Sequence, residues 1–294
     1  MDERDRLAER FEANRGELRA VAYRLLGSAA EADDAVQEAW LRLDRFGAAD
    51  LTNLGGWLRT VVTRICLDAL RSRRSRREDP GDLRALDERP GRPAGANHPE
   101  EQALLASDVS RALLVVLEML TPAERIAFVL HDMFAVPFEE IAAVLDRTPE
   151  ATKKLASRAR GKVRGAPAAA PHELARRRRV VEAFLAGARA GDLDAVLAVL
   201  DPDVVRRVDP VAVPPGGVAV LRGARAVAEG TVLLAARSRF AEAALVDGMV
   251  GAVVAPGGKL LLVITFEVRA DRIVGYEVVA DPARLAEMDL AVLH

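Results

Sequence analysis

"FEEIAAVLDRTPEATKKLASRAR", residues 138–160, decides how the first half of this chain folds. Phe138, Ile141, Ala142 and Leu145 recur at helical spacing and predict one short helix with a single apolar side. "DRTP" then turns the chain. Thr148 is a good N-cap, and Pro149 suits the first helical position, where no N–H is needed. The next helix keeps Thr152, Leu155, Ala156, Ala159 and Val163 on one side, leaving Glu150, Lys153, Lys154, Ser157 and Arg158 on the other. Two short helices around a tight turn, the second basic outside, read as a helix-turn-helix. In the major groove, such a helix needs donors at its N-terminal half and cations for phosphates. A merely solvated basic face is the competing reading.

The cations are concentrated, not general. The 294 residues carry a formal net charge of −2. Yet residues 147–164 hold seven cations against Glu150 alone, and Arg59, Arg64, Arg71, Arg73, Arg74, Arg76 and Arg77 face only Asp68. Residues 31–38, "EADDAVQE", hold four acids and no cation. Separated patches of opposite sign predict separate partners, a basic surface and a polyanion.

Length predicts two or three domains, and 50% hydrophobic residues suffice for real cores. No apolar run is long enough to span a membrane. The first residues, "MDERDRLAERFEANRGELR", are too charged for a secretory signal. Cys66 is the one cysteine, which excludes an internal disulfide and a cysteine-rich zinc site. A cytoplasmic protein without metal or cofactor is expected.

Helical periodicity covers residues 5–47 and 55–77, with Ser28 and Glu31 at capping-box spacing. "EDPGDLRALDERPGRPAGANHPEE", from residue 78, is rich in proline and glycine and predicts a flexible linker. Helices resume at about 100, until "GAPAAAP" at 165–171 ends the block. Beyond it a helical pair around Gly191-Asp192, a strand-like "DVVRRVD" and another helix precede four short β-rich runs. Helices followed by an antiparallel meander predict an α+β domain.

In these segments the chain resembles the bacterial sigma factors of the extracytoplasmic-function group over residues 5–165. "EADDAVQEAWLRL" is similar to the region-two helix that docks on core RNA polymerase. By that resemblance Asp34, Gln37 and Glu38 face the polymerase β and β′ subunits, with Asp33 and Trp40 supporting. For Trp40 a plain core role competes. "GGWLRTVVTRICLDALRSRRSR" is similar to the segments that melt and read the promoter −10 element, which implies DNA contacts for Trp57, Arg64, Arg71, Arg73 and Arg74. The segment is poor in aromatic residues. The helix-turn-helix resembles region four, the −35 reader, and this assigns Glu150, Lys153, Lys154, Ser157 and Arg158 to promoter DNA.

Ordinary members end near residue 165. Residues 172–294 resemble the SnoaL-like, cone-shaped α+β fold related to nuclear transport factor 2, fused in some members as a regulator that contacts the sigma domains. The expected layout is region two over 1–77, a linker over 78–99, region four over 100–165 and the regulatory domain over 172–294. This chain departs in two places. "DPVAVPPGGVAV" stands where the fused domains have a glycine-rich loop opened by Asp, and 78–99 contains no Trp. Asp201, Asp203, Asp209, Glu267 and Tyr276 offer no paired acid/base set, and neither His172 nor His294 has a partner at suggestive spacing. "RRRR" at 176–179 reads first as a solvated helix face. The expected function is promoter recognition without catalysis. Two rivals stay open: a ligand-responsive helix-turn-helix regulator acting without polymerase, and a cone-fold enzyme fused to a DNA-binding module.

Overall fold

A computed structural model describes residues 3–46, 53–78, 110–213 and 217–293. Of the expected linker over 78–99, Glu78 is helical and residues 79–99 lie outside the described residues, as do the first ten positions of the expected region-four segment. The described residues form two units. One holds the residues up to 78 with Leu117–Arg160, and the other holds Ser110–Val116 with residues 161–293.

In the first unit, Gly27 ends helix α1 (Glu3–Leu26) at φ +73°, a conformation that costs glycine little. Ser28 starts α2 (Ala29–Phe46), its hydroxyl accepting the Glu31 N–H at 3.4 Å. The expected capping box is only half made, because the Glu31 carboxylate pairs with Arg73 of α3 (Leu54–Glu78). Leu18, Val21, Leu25, Leu43 and Leu58 interleave in the core between the three helices, each at most 2% exposed. Burial on this scale stabilises by about 1.5–3 kcal/mol per large side chain. Cys66 is fully buried among them, and burial pushes its thiol up to about 12 despite a backbone hydrogen bond, so it stays protonated and inert.

The second helical group contains α4 (Arg111–Met119), α5 (Pro122–Phe128), a π-helical turn at Val129–Met133, α6 (Phe138–Leu145) and α7 (Pro149–Arg164). Thr121 and Glu124 make a full capping box at the start of α5. Within the first unit α3 packs on α5 and α6, and α1 on the π-helical turn. Arg125, 4% exposed, donates to the Leu25 carbonyl at the end of α1 over 2.8 Å. Such a bond ties a carbonyl that α1 cannot satisfy itself.

The second unit adds α8 (Pro171–Ala190) and α9 (Leu193–Val199), with Gly191 closing the first at φ +68° and Asp192 capping the next. Strands β1 (Leu200–Val208) and β2 (Val220–Arg222) follow, then α10 (Ala224–Val232) and α11 (Ala235–Ser238). Then come β3 (Ala241–Val246), β4 (Met249–Val254), β5 (Leu262–Arg269), β6 (Arg272–Val279), α12 (Pro282–Glu287) and β7 (Leu290–Ala291). The sheet order is β2-β1-β6-β5-β4-β3-β7. β3 to β6 form the expected antiparallel meander, but β1 pairs with β6 in parallel, making the sheet mixed. Parallel neighbours need a long crossover, and the stretch from β2 through α10 and the meander supplies one. Phe184 of α8 packs edge-on against Phe266 and Tyr276 of the sheet. Asp201-Pro202-Asp203 lies in an irregular start of β1, where Asp201 accepts the Asp203 N–H at 3.0 Å.

Asp209 staples the end of β1 to β6 and α12. Its carboxylate, 8% exposed, accepts the Ala280 N–H (3.0 Å), the Asp281 N–H (3.1 Å) and Arg284 (2.5 Å). Burial alone would raise its pKa, but the two backbone N–H groups and Arg284 outweigh it and hold the carboxyl below the usual range. A depressed folded value means the contribution is complete above the unfolded value, about pH 4, and is lost as pH falls through the folded one. Asp209→Asn is expected to cost about 1–3 kcal/mol at neutral pH and to flatten the acid limb of stability. Urea midpoints measured between pH 3 and 7 on both proteins check this.

Candidate nucleic-acid interface

Local chemistry positions the helix-turn-helix. Asp146 closes α6 in the left-handed region at φ 54°, and the Arg147 N–H returns to the Ala142 carbonyl at 3.0 Å. Thr148 then accepts the Ala151 N–H at 3.2 Å, with Pro149 opening α7. Thr152, Leu155, Ala156, Ala159 and Val163 are buried, the inner face expected from spacing. Glu150, Lys153, Lys154, Ser157 and Arg158 are all exposed.

The outward face is not uniformly free. Arg158 stands 3.8 Å from the buried Glu124, and Arg160 bonds Asp132 at 2.6 Å. Lys153, Lys154 and Ser157 have no partner among the described residues. Glu150 is held below the usual carboxylate range by its own backbone N–H and by the Thr148 hydroxyl. An ionised Glu at a recognition helix repels phosphate but can accept from a cytosine amino group, so it suits base reading. Arg147, exposed at the turn, adds a cation beside this face. The cation count over 147–164 contained it, but helical spacing from Pro149 onward did not.

Along α3 the five residues read as −10 contacts divide. Arg71 is exposed without a described partner. Arg64 is exposed and reaches the Ala143 carbonyl of α6 at 3.5 Å. Trp57 is half-buried near the start of the helix. Arg73 points inward, donating to the Leu26 carbonyl at 3.0 Å and pairing with Glu31, so it ties α3 to the end of α1 and the start of α2. The side chain of Arg74 lies outside those described.

The acidic face of α2 is likewise partly engaged. Arg19 grips Asp33 in a fork at 2.6 and 3.2 Å, and Arg42 takes Glu38 at 3.0 Å. Asp34 and Gln37 are exposed without a described partner. Trp40 is half-buried, its ring 5.0 Å from that of Phe11. Spacing alone could not show that Arg19, 14 positions away on another helix, answers Asp33.

In the second unit the charged residues weighed for catalysis do not converge. Glu267 pairs with Arg269, Tyr276 bonds Thr231 at 2.8 Å, and Asp209 is the staple described above. Of "RRRR", Arg176 and Arg177 take Glu173 and Arg178 takes Glu182. Among the described residues there is no cluster of metal-ligating side chains, and no helix is long and apolar enough to cross a membrane.

Comparison with known proteins matches two family models. Residues 10–76 match sigma-70 region 2, and residues 110–163 match sigma-70 region 4. The ECF RNA polymerase sigma factor SigJ of Mycobacterium tuberculosis is 44% identical over 214 residues, covering 72% of this chain and 68% of SigJ. The probable ECF RNA polymerase sigma factor SigI of the same organism is 38% identical over 209 residues, covering 71% and 72%. The crystal structure of M. tuberculosis SigJ aligns over 95% of this chain and 98% of its own at 33% identity, with a TM-score of 0.47.

Proposed function

From a chain that belongs to the extracytoplasmic-function RNA polymerase sigma factors, we propose how its surfaces are shared between partners. The protein is an alternative sigma factor for transcription initiation, and sigma factors bind core RNA polymerase and promoter DNA. Neither the ligand-responsive regulator nor the enzyme describes these relatives.

The finer assignments are ours. Region two spans 1–77, the linker 78–99, region four 100–165 and a regulatory domain 172–294. Asp34 and Gln37, open and unpartnered, are the contacts to the polymerase β and β′ subunits. Asp33 and Glu38 hold the neighbouring Arg19 and Arg42 in place, and Trp40 supports the helix from its half-buried side. Arg64, Arg71 and Arg74, with Trp57, meet the −10 element, while Arg73 positions their helix. Glu150, Lys153, Lys154, Ser157 and Arg158 meet the −35 element. The C-terminal domain modulates initiation through contact with the sigma helices. Glu242 of β3 supports this, accepting the Arg111 N–H at 2.7 Å where α4 begins. The protein works in the cytoplasm, with no membrane attachment.

The outward, unpaired Lys153–Lys154–Ser157 face beyond a capped turn carries the reading. Run-off transcription with core polymerase, on a promoter selected from genomic fragments bound by the holoenzyme, tests it. Asp34→Arg with Gln37→Arg is expected to cut holoenzyme formation at least about tenfold, as like-charge contacts do at an interface, without changing the fold. Failure to initiate while the free protein footprints DNA would sink the polymerase assignment. A chain ending near residue 168 then tells whether the C-terminal domain brakes or promotes initiation.

A further inference from the structure

The second unit buries a cation that no described carboxylate answers. Arg206, near the end of β1, is 7% exposed. The acids that could reach inward are committed elsewhere: Asp209 and Glu277 to Arg284, Glu173 to Arg176 and Arg177, and Glu229 to Arg225. Arginine keeps its proton at any pH a folded protein sees, so burial cannot neutralise it. A buried unpaired charge is costly, and such a group calls for an explanation.

The strand register defines its surroundings. Arg206 lies opposite Tyr276 of β6 and opposite Leu221 of β2, so the three side chains leave one face of the sheet. Gly230 of α10 lies over them. A Cβ there would stand 3.0 Å from Arg206 Nη1 and 3.0 Å from Leu221 Cδ1, so the bare Cα leaves the guanidinium close under the helix without crowding.

Donor accounting then shows which N–H groups remain. The Thr231 hydroxyl donates to the Val227 carbonyl at 2.8 Å, which spends its only hydrogen. In the 2.8 Å contact between Thr231 and Tyr276 the phenol is therefore the donor. Tyr276 has a lone pair left to accept from Arg206, its other neighbour. Burial pushes the phenol upward, with Thr231 and Arg206 pulling the other way, so it holds its proton at neutral pH. The Arg206 Nε–H is buried and bonded to nothing among the described residues.

An Nε–H beside an Nη–H is the parallel pair that a carboxylate takes through both oxygens. Phe184, Val227 and Phe266 belong to the same core, so the rest of a bound molecule would meet apolar walls. Beside Arg206 runs β2, a three-residue edge strand, preceded by Val218 and including Val220, 52% and 46% exposed. We propose that the C-terminal unit is a receptor for a small carboxylate with an apolar body, gripped by the Arg206 fork beneath Gly230 and beside β2. The site is independent of polymerase and DNA.

Benzoate, butyrate and inorganic phosphate are the probes, with benzamide as the uncharged match to benzoate. Full-length protein is titrated by calorimetry at fixed ionic strength, while arginine Nε–H resonances are followed by NMR. Saturable binding of benzoate or butyrate, with one protected Nε–H resonance shifting and benzamide silent, is the expected result. Arg206→Met and Arg206→Lys should each weaken that binding at least about tenfold, the lysine because it keeps the charge and loses the fork. Undiminished binding in both variants overturns the proposal, and so does silence of both carboxylates up to tens of millimolar. Phosphate binding without carboxylate binding overturns it too. If the methionine variant does not fold, the lysine variant and the wild-type resonance decide the matter.

Discussion

Lys153→Glu with Lys154→Glu is expected to lower promoter-specific initiation at least about a hundredfold while leaving the melting temperature unchanged. Both lysines stand exposed on α7 without a described partner. Reversing them therefore breaks no internal contact, and surface changes of that kind stay within about 0.5 kcal/mol. Their cost falls on the complex, where a lost contact to base or phosphate is worth about 1–3 kcal/mol. The salt dependence gives a sharper reading. Each phosphate contact contributes about 0.9 to the slope of log affinity against log salt, so the double variant should bind with a slope shallower by about 2. An unchanged slope would remove the lysines from the DNA face. Ser157→Ala, by contrast, should alter preference among −35 sequences more than the slope, because a hydroxyl carries no charge.

The second large effect is an opening of the first unit when polymerase and promoter bind. In the free protein α3 packs on α5 and α6, and Arg125 bonds the end of α1. The −10 and −35 elements, however, lie about 25 base pairs apart, or about 85 Å along the duplex at about 3.4 Å per base pair. Helices in direct contact cannot occupy both at once. Fluorophores at Glu9→Cys and Glu139→Cys, both exposed positions, should show high transfer in the free protein and low transfer in the holoenzyme–promoter complex. Labelling needs no removal of Cys66, whose buried thiol does not react. Arg125→Met weakens the same contact and should raise apparent affinity for core polymerase several-fold. High transfer retained in an initiating complex would show that region two and region four act without separating.

Much of this was legible in the chain, for identifiable reasons. The inner face of α7, the Thr148 cap and the Pro149 start depend on residues within one or two turns of each other, so spacing and side-chain chemistry suffice. The Gly191-Asp192 break between α8 and α9 is equally local. Ser28 and Glu31 misled because their spacing satisfies the capping pattern, while Arg73, forty-two positions on, competes for the same carboxylate. Thr121 and Glu124 form the box that was not foreseen. The parallel pairing of β1 with β6 was hidden for a related reason: strand spacing shows hairpins, and nothing local announces which strand a long crossover returns to.

By itself the sequence determined the helix-turn-helix, the opposed charge of α2 and α7, the α+β character of the last 120 or so residues and, through the order of these parts, membership of the family. These are properties of short windows, where periodicity and capping act on neighbours in the chain. Only the tertiary structure decided which charges are spent and which are free. Arg19 answers Asp33, Arg73 turns to Glu31, and Arg206 is left beneath Gly230 with an unbonded Nε–H. A charge is defined for function by its desolvation and by its partner, and in this chain those partners come from distant segments brought together by burial of the cores.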